Sequence, residues 1–328
     1  MKLKNIKTIA VINLGFVGDV VNASCVTIEL RKAYPDAKII FITVPKSEEI
    51  AKYLPAVDEV VVFDKDIKHK GIKMLPLALK LRLMYRFNMV ILLNETFRSG
   101  LFGFLTGAKY RIGHDSEGRG IFLTHTVDWP EEEKDFKVHI AEIYMRNLKA
   151  IGLYNSDYKF GLNYSQADDD YINGLLAGSG ISYGQELIGL CPCARYGCKD
   201  WIPEEGTKFI NYINQNPNQK VIIIGQDSGR DFADKLRELG VSDFIDLTNK
   251  TTVPQLTALI KKFKVFISVD TAPMHMGIAL EVPTIGLFVQ DNYGKWWPGD
   301  NNRRKIIRGT PASWTKNLIQ NFNDLIMV

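Results

Sequence analysis

The sequence has few features that would place it outside the ordinary globular proteins. Four cysteines in 328 residues are too few for the disulfide framework of a small secreted domain, so we expect a reducing, cytoplasmic environment. Its 41 lysines and arginines nearly balance 37 aspartates and glutamates, which gives no indication of a nucleic-acid partner. No apolar run approaches the roughly 18–20 residues that a membrane span needs.

Three of the cysteines, Cys191, Cys193 and Cys198, lie close enough together to suggest a zinc site. Their spacing differs from paired C-x-x-C ligands, and no fourth cysteine or histidine lies nearby. We therefore expect no bound metal.

The length suggests two domains of about 150 residues each. Short apolar runs alternate with helical stretches in both halves, and this alternation predicts right-handed βαβ units and doubly wound parallel sheets. The predicted strands are residues 8–14, Lys38–Val44, Val60–Phe63, Met89–Leu93, Leu187–Leu190, Lys220–Ile224, Asp243–Leu247, Val265–Val269 and Thr284–Phe288. The sequence thus predicts two Rossmann-like domains, residues 1–165 and 166–328.

Three segments are open to more than one interpretation. Residues 8–14 follow three lysines and precede Ala23-Ser24-Cys25, as in a lipoprotein signal, but Asn13 interrupts the apolar run and we favour a buried strand. The last segment, residues 313–328, is expected to be a helix, and packing against the first domain is one arrangement open to it. The acidic run at residues 168–170 is expected to be a solvated turn or a helix start.

Ligands of open α/β sheets bind at the carboxyl ends of strands, so the residues that follow each strand are the first candidates. Gly15-Phe-Val-Gly18-Asp19 follows the first strand, and its two glycines permit a tight turn. It is not the G-x-G-x-x-G fingerprint, which disfavours a dehydrogenase. Asp19 is either a helix cap or a general base that faces the cleft between the domains.

A second candidate is Asp270-Thr-Ala-Pro-Met-His275, which follows the predicted strand Val265–Val269. Pro273 suits the first turn of a helix, and the free N–H groups of such a turn can bind a diphosphate. Asp270 or Thr271 can also cap the helix, and the two interpretations are compatible. His275 by itself favours a structural role.

Two further loops carry charge. Arg195 and Lys199, in the loop from Cys191 to Pro203, can reach phosphates or simply form a basic surface. Asp227 follows the strand Lys220–Ile224, where it can accept ribose hydroxyls or be a solvated turn residue.

Taken in order along the chain, these motifs resemble those of glycosyltransferase family 9, the ADP-heptose:lipopolysaccharide heptosyltransferase family. The resemblance runs from about residue 8 to 300. It rests on the Gly-x-x-Gly-Asp turn, on Lys199-x-Trp-x-Pro, and on Asp-Thr-x-Pro-Met-His-x-x-x-Ala-Leu at 270–280. Further matches are Arg98-Ser99, Arg111–Gly113, the loop at 118–125 and a helix at 139–152.

The resemblance implies a GT-B fold, in which the amino-terminal domain binds the acceptor and the carboxyl-terminal domain binds the nucleotide sugar. It implies an inverting transfer without a divalent metal or another cofactor, in which Asp19 matches the general base and Lys199 the phosphate-binding lysine. The implied nucleotide-sugar site comprises Arg195, Lys199, Asp227, Asp270, Thr271, Ala272, Pro273, Met274 and His275. The implied acceptor site comprises Gly18, Arg98 and Arg119.

Two departures from the family pattern leave the donor open. Asp227 stands where the family usually has a longer glutamate, and Pro192-Cys-Ala-Arg195 replaces Pro-Gly-Ala-Ser. The expected reaction is heptose transfer from ADP-heptose to Kdo-lipid A or its first heptose. The alternatives are a family 9 transferase with another donor or glycan acceptor, and a nucleotide-sugar epimerase of similar architecture, which predicts turnover without an acceptor.

Residues 65–86 are the most basic segment, with seven lysines and arginines against one aspartate. One interpretation is an amphipathic surface helix whose apolar stripe faces the core. The other is docking on anionic lipid at the cytoplasmic face of the inner membrane, where an anionic glycolipid acceptor would be found.

Overall fold

The computed structural model describes residues 3–129, 136–181, 184–194, 200–289 and 291–327. The chain divides into two compact units, Met1–Leu162 and Asn163–Val328. The boundary predicted between residues 165 and 166 lies close to this division.

The first unit contains a six-stranded parallel sheet flanked by helices. Its strands are β1 (Thr8–Ile12), β2 (Lys38–Thr43), β3 (Glu59–Val62), β4 (Met89–Leu92), β5 (Tyr110–Asp115) and β6 (His125–Asp128). Its helices are α1 (Val17–Asn22), α2 (Ser24–Ala33), α3 (Glu48–Ala51), α4 (Met74–Tyr85), α5 (Phe97–Leu105) and α6 (Ile140–Arg146). The strand order is β3-β2-β1-β4-β5-β6. The residues of β1 from Ile9 to Ile12 are fully buried, as expected of a central strand covered on both faces.

The second unit repeats this architecture. Its strands are β7 (Glu186–Cys191), β8 (Gln219–Ile223), β9 (Ile245–Asp246), β10 (Val265–Val269), β11 (Thr284–Phe288) and β12 (Arg304–Arg308). Its helices are α7 (Gln166–Ala177), α8 (Pro203–Ile213), α9 (Asp227–Glu238), α10 (Val253–Lys261), α11 (Ala272–Ala279), α12 (Tyr293–Trp296) and α13 (Trp314–Ile326). The order β12-β11-β10-β7-β8-β9 is that of the first sheet, read from the other edge.

Both sheets therefore have the strand order of the dinucleotide-binding fold. In each unit the chain winds in opposite directions on the two sides of the first and fourth strands, and we call the point between these two strands the winding reversal. These strands are β1 and β4 in the first sheet, and β7 and β10 in the second. A crevice forms outside the carboxyl ends of strands at such a reversal, so the turns after these four strands are where a ligand is expected.

Helix α13 corrects one expectation, because its buried face packs within the second unit. Trp314, Leu318 and Phe322 join a core that also contains Phe209 of α8. The Thr315 hydroxyl donates to the Glu205 carbonyl at 3.2 Å. Large apolar side chains recur here every three to four residues, and together they cover the second sheet beside α8.

The sequence did not predict β5 and β6 of the first sheet or β12 of the second, because these strands are too polar to be recognised as buried apolar runs. Arg111 and His114 interrupt β5, and β12 begins with Arg304-Lys305. The acidic run at 168–170 is a helix start, as expected: the Ser165 hydroxyl and the Asp168 carboxylate form a reciprocal capping box on α7. Among the described residues, no helix is long and apolar enough to span a bilayer.

Candidate active site

Asp19 lies in the turn after β1, at the third position of α1. Its Oδ2 accepts a hydrogen bond from the Phe16 backbone N–H at 2.9 Å, so the helix-cap interpretation is correct. Its Oδ1 accepts a weaker bond from the Tyr144 hydroxyl at 3.4 Å. The residue is still partly exposed, so the cap does not remove the carboxylate from contact with a ligand.

Tyr144 is the buried partner of this carboxylate. Burial, and then the negative charge of Asp19, raise the pKa of Tyr144 well above its ordinary value. The hydroxyl therefore keeps its proton at physiological pH and acts only as a donor to Asp19. It fixes one carboxylate oxygen while the Phe16 N–H fixes the other.

Three further contacts hold the turn in shape. The buried Asn13 side chain accepts from the Gly15 N–H at 2.9 Å and donates to the Asp19 carbonyl at 3.3 Å. The Ser47 hydroxyl donates to the Gly15 carbonyl at 3.0 Å. Asn13 was not among the predicted site residues, although a buried asparagine at the end of an apolar strand is a usable signal, because such a side chain must find partners.

The turn after β4 supports the turn after β1. The Asn94 side-chain oxygen accepts a hydrogen bond from the Leu14 N–H, which joins the two sides of the winding reversal. The carbonyl of Asn94 accepts from the Ser99 hydroxyl at 2.9 Å. Sequence reasoning missed Asn94 as well, although it follows a buried strand directly.

Arg119 was predicted to contact the acceptor, and the structure corrects this. Its side chain is fully buried, and its guanidinium donates to the carbonyls of Asn94 and His114. Burial lowers its pKa to about 10. The guanidinium is therefore enclosed by protein, and we assign Arg119 to positioning the turn that carries Asn94.

Arg98 and Lys65 place positive charge beside the Asp19 turn. The Lys65 ammonium donates to the Leu14 carbonyl at 3.3 Å, and the exposed Arg98 guanidinium donates to the Lys65 carbonyl at 3.2 Å. Gly18 is the second residue of α1, next to Asp19. At this edge of the first sheet, the Asp19 turn therefore has two cations close by.

In the second unit, the amino end of α11 follows β10. Thr271 occupies the N-cap position without a side-chain capping bond, because its hydroxyl lies 3.1 Å from the Ser268 hydroxyl and donates to the Val269 carbonyl at 3.2 Å. Pro273 lies in the first turn, as predicted, and has no N–H. The Met274 N–H donates to the Thr271 carbonyl at 3.1 Å. The backbone donors at the tip are therefore those of Thr271 and Ala272.

The other residues of this motif differ in exposure. Asp270 is partly exposed, and its N–H donates to the Leu287 carbonyl at 3.2 Å. The Met274 side chain is completely buried, so a ligand at the helix tip does not reach it. His275 is also buried, with its ring edge-on to Trp296. The burial of these two side chains leaves the backbone of the motif as its part in the predicted nucleotide-sugar site, which stays a prediction.

The loop after β7 lies at the same winding reversal as α11. The Ala194 N–H donates to the Asp200 carboxylate at 2.7 Å, and the Trp201 N–H donates to the Pro192 carbonyl at 2.8 Å. The predicted phosphate-binding residues between these anchors, Arg195 and Lys199, lie outside the described residues, as does Cys198.

Cys191 connects β7 to the α11 tip, with its thiol 3.9 Å from the Thr271 hydroxyl. Burial raises the pKa of Cys191 to about 11, so the sulfur remains a thiol at neutral pH. Within the described ranges, no three histidine, cysteine, aspartate or glutamate side chains come together as a metal site.

Asp227 is the first residue of α9, the helix that follows β8, and it is exposed. Its Oδ1 accepts from the Asn249 side-chain amide at 2.8 Å. Strand β8 is the neighbour of β7 on the side away from β10. An acidic residue at the end of this second strand is the one that binds ribose hydroxyls in dinucleotide-binding folds.

Comparisons with known proteins agree with this architecture. The chain is 26% identical over 301 residues to the lipopolysaccharide core heptosyltransferase OpsX of Haemophilus influenzae, covering 90% of this chain and 82% of the relative. A solved glycosyltransferase family 9 structure from Veillonella parvula superposes with a TM-score of 0.89 at 20% identity, covering 100% of this chain and 99% of the other. The Escherichia coli ADP-heptose LPS heptosyltransferase II superposes with a TM-score of 0.78 at 19% identity, covering 98% of each chain.

The solved structures show the fold, which is the GT-B fold expected from the sequence. The sequence model of glycosyltransferase family 9 (heptosyltransferase) matches residues 76–321, which is most of the chain. The protein therefore belongs to glycosyltransferase family 9 and is a glycosyltransferase.

Proposed function

We propose that the protein transfers heptose from ADP-heptose, with inversion, to an inner-core lipopolysaccharide acceptor, either Kdo-lipid A or its first heptose. One observation carries the proposal. In each unit, a turn at the winding reversal holds a group that the reaction needs: a base in the first unit and a binding site for the leaving diphosphate in the second. The first unit supplies a fixed carboxylate, Asp19, and the second a helix end whose N-cap side chain does not cap it. The heptosyltransferase names of the relatives support the sugar and the acceptor class.

In the proposed step, Asp19 accepts the proton of the acceptor hydroxyl as the oxygen attacks the anomeric carbon. The new carbon–oxygen bond forms on the face opposite the diphosphate, whose own bond to the anomeric carbon breaks, so the configuration inverts. The Phe16 N–H and the Tyr144 hydroxyl orient the carboxylate before the substrate arrives. A general base in this position accelerates such a reaction by about 10²–10⁴-fold.

The leaving ADP takes the electron pair of the broken bond and gains negative charge. We propose that the N–H groups of Thr271 and Ala272, at the positive end of the α11 dipole, stabilise the diphosphate. Lys199 and Arg195 add positive charge, and Asp227 binds the ribose. These groups take the role that a divalent cation has in other transferases, so the proposed reaction requires no metal.

The cations beside the Asp19 turn fit an anionic acceptor. Kdo carries a carboxylate and lipid A carries phosphates, and Arg98 is exposed for contact with either group. Lys65 lies on the adjoining loop, where its charge attracts the same anions. The backbone of Gly18 lies next to the reacting hydroxyl in this arrangement.

The test measures ADP release from ADP-heptose with and without Kdo-lipid A. The proposal predicts release only with the acceptor present, together with a product heavier by one heptose. Turnover of a nucleotide sugar without any acceptor would instead support the epimerase alternative. Calorimetry with ADP and UDP tests the donor, and tighter binding of UDP would support a family 9 transferase with another donor.

A further inference from the structure

Helix α4 carries apolar side chains on two faces. The inner face packs into the core of the first unit and consists of Met74, Ala78, Leu81 and Tyr85. The outer face carries Leu75, Leu79 and Leu83, which are 40%, 56% and 69% exposed. These three leucines are four residues apart and therefore form one row along the helix. Ile72, in the turn before α4, is 78% exposed.

A single core-facing stripe explains only the inner face. The outer row places large apolar side chains in water, and contiguous exposed apolar surface of this kind marks a contact with a partner. The interpretation of α4 as an ordinary amphipathic surface helix is therefore incomplete.

Positive charge borders the row. At about 100° per residue, Lys80 lies on one side of the leucine row and Arg82 on the other. Lys73 adds a further charge just before the helix, and the whole segment 65–86 has seven lysines and arginines against one aspartate. Among the residues that the structure describes, none of these seven cations takes part in an ion pair. The charge is therefore available to an anionic partner.

We infer that the outer face of α4 docks on an anionic lipid bilayer. The leucine row enters the boundary between headgroups and acyl chains, while the flanking cations bind lipid phosphates. This surface complements two properties of a bilayer at once. A second copy of the chain would bring the same positive charges face to face. A nucleic acid would bind the cations but would leave the leucine row exposed to water.

The segment that leads into the docking surface begins next to the candidate active site. Because β3 ends at the carboxyl edge of the first sheet, the segment that follows it starts at this edge, where the Lys65 ammonium contacts the Leu14 carbonyl. A membrane-bound glycolipid would thus present its sugars close to Asp19. Docking itself does not require the proposed reaction.

The test is cosedimentation of the full-length protein with vesicles, without donor or acceptor, so the result is independent of any transfer activity. We expect binding to vesicles that contain phosphatidylglycerol, little binding to pure phosphatidylcholine, and weaker binding as salt rises. Each basic residue near an anionic surface contributes about fivefold to affinity. K80E/R82E should therefore bind at least tenfold more weakly, and so should L79S/L83S through the loss of apolar contact.

Matched changes in the second unit serve as controls. K316E and L239S alter an exposed lysine and a 45% exposed leucine, and both should bind vesicles as the wild type does. Circular dichroism and thermal melting confirm that each variant is folded. Failure of the wild type to bind phosphatidylglycerol vesicles, or equal binding by the α4 variants, overturns the inference. The inference is also overturned if the wild type is a dimer and L79S/L83S converts it to monomers without any change in vesicle binding.

Discussion

The side chain of Asp19 lies directly against the α-carbon of Gly15. A β-carbon on Gly15 would lie 2.6 Å from the Asp19 β-carbon and 2.7 Å from its carboxyl carbon and Oδ2. These distances are far below van der Waals contact, so a side chain at position 15 requires the carboxylate to move. Gly15 is therefore needed for the placement of Asp19 as well as for the turn.

The first prediction concerns this contact. Gly15→Ala should lower kcat for transfer at least tenfold, because a shift of the carboxylate by less than 1 Å already impairs proton transfer. ADP affinity should stay unchanged, since the donor site is in the other unit.

Gly174→Ala provides the matched control. Gly174 lies inside α7, and a β-carbon there would meet nothing within 4 Å. Activity should remain, while the free energy of unfolding should rise by about 0.5–1 kcal/mol because alanine favours the helix. Equal kcat values for Gly15→Ala and the wild type would show that the carboxylate tolerates displacement.

The second prediction concerns recognition of an anionic acceptor. Lys65→Ala and Arg98→Ala should each raise KM for Kdo-lipid A several-fold, and the increase should shrink at high salt because the attraction is electrostatic. KM for ADP-heptose should not change. Lys52→Ala, which removes an exposed lysine of the same unit, should leave both constants unaltered. An acceptor KM that is insensitive to Lys65 and Arg98 would argue for a neutral acceptor.

The third prediction concerns ribose binding by Asp227. Asp227→Asn keeps the size of the side chain but weakens its hydrogen bonds to hydroxyls, so ADP should bind about tenfold more weakly by calorimetry. The control is Asp234→Asn, an exposed aspartate on the same helix. Because ribose contacts bind ground state and transition state alike, the kcat of Asp227→Asn should change little. A large fall in kcat with unchanged ADP affinity would place Asp227 in the chemical step.

The sequence predicted the parallel sheets and the turns that carry Asp19 and Asp270, because buried parallel strands are continuous apolar runs and both turns begin where such runs end. It did not predict the role of Arg119, because an arginine in a loop gives no sign that backbone carbonyls will enclose its guanidinium. It missed Asn13 and Asn94, whose importance depends on β1 and β4 becoming neighbours. It placed Met274 and His275 in the nucleotide-sugar motif but did not predict that both side chains are buried, since spacing alone cannot tell which side of a short helix faces the core.

The fourth prediction concerns pH-dependent stability. The Tyr85 hydroxyl donates to the Glu59 carboxylate, and burial together with this carboxylate raises the pKa of Tyr85 to about 12. The stabilisation that this bond gives the folded protein is fully present below about pH 10, where tyrosine is protonated in both the folded and the unfolded chain. Between about pH 10 and 12 the unfolded chain loses this proton first, so the stabilisation declines as pH rises.

Tyr85→Phe removes both the bond and its titration. At pH 8 the variant should lose about 1 kcal/mol in the free energy of unfolding, measured by urea denaturation. The difference from the wild type should narrow above about pH 10. A difference that widens with pH would mean that the hydroxyl is ionised in the folded protein.

Asp19→Asn tests the central claim most directly, because asparagine keeps an oxygen for the Phe16 N–H but cannot act as a base. The measurement is acceptor-dependent ADP release, made beside calorimetric ADP binding and thermal melting of the same preparation. The account predicts a fall in kcat of about 10²–10⁴-fold, with ADP affinity and melting temperature close to those of the wild type. Retention of more than a tenth of the activity by a folded, ADP-binding variant would contradict it.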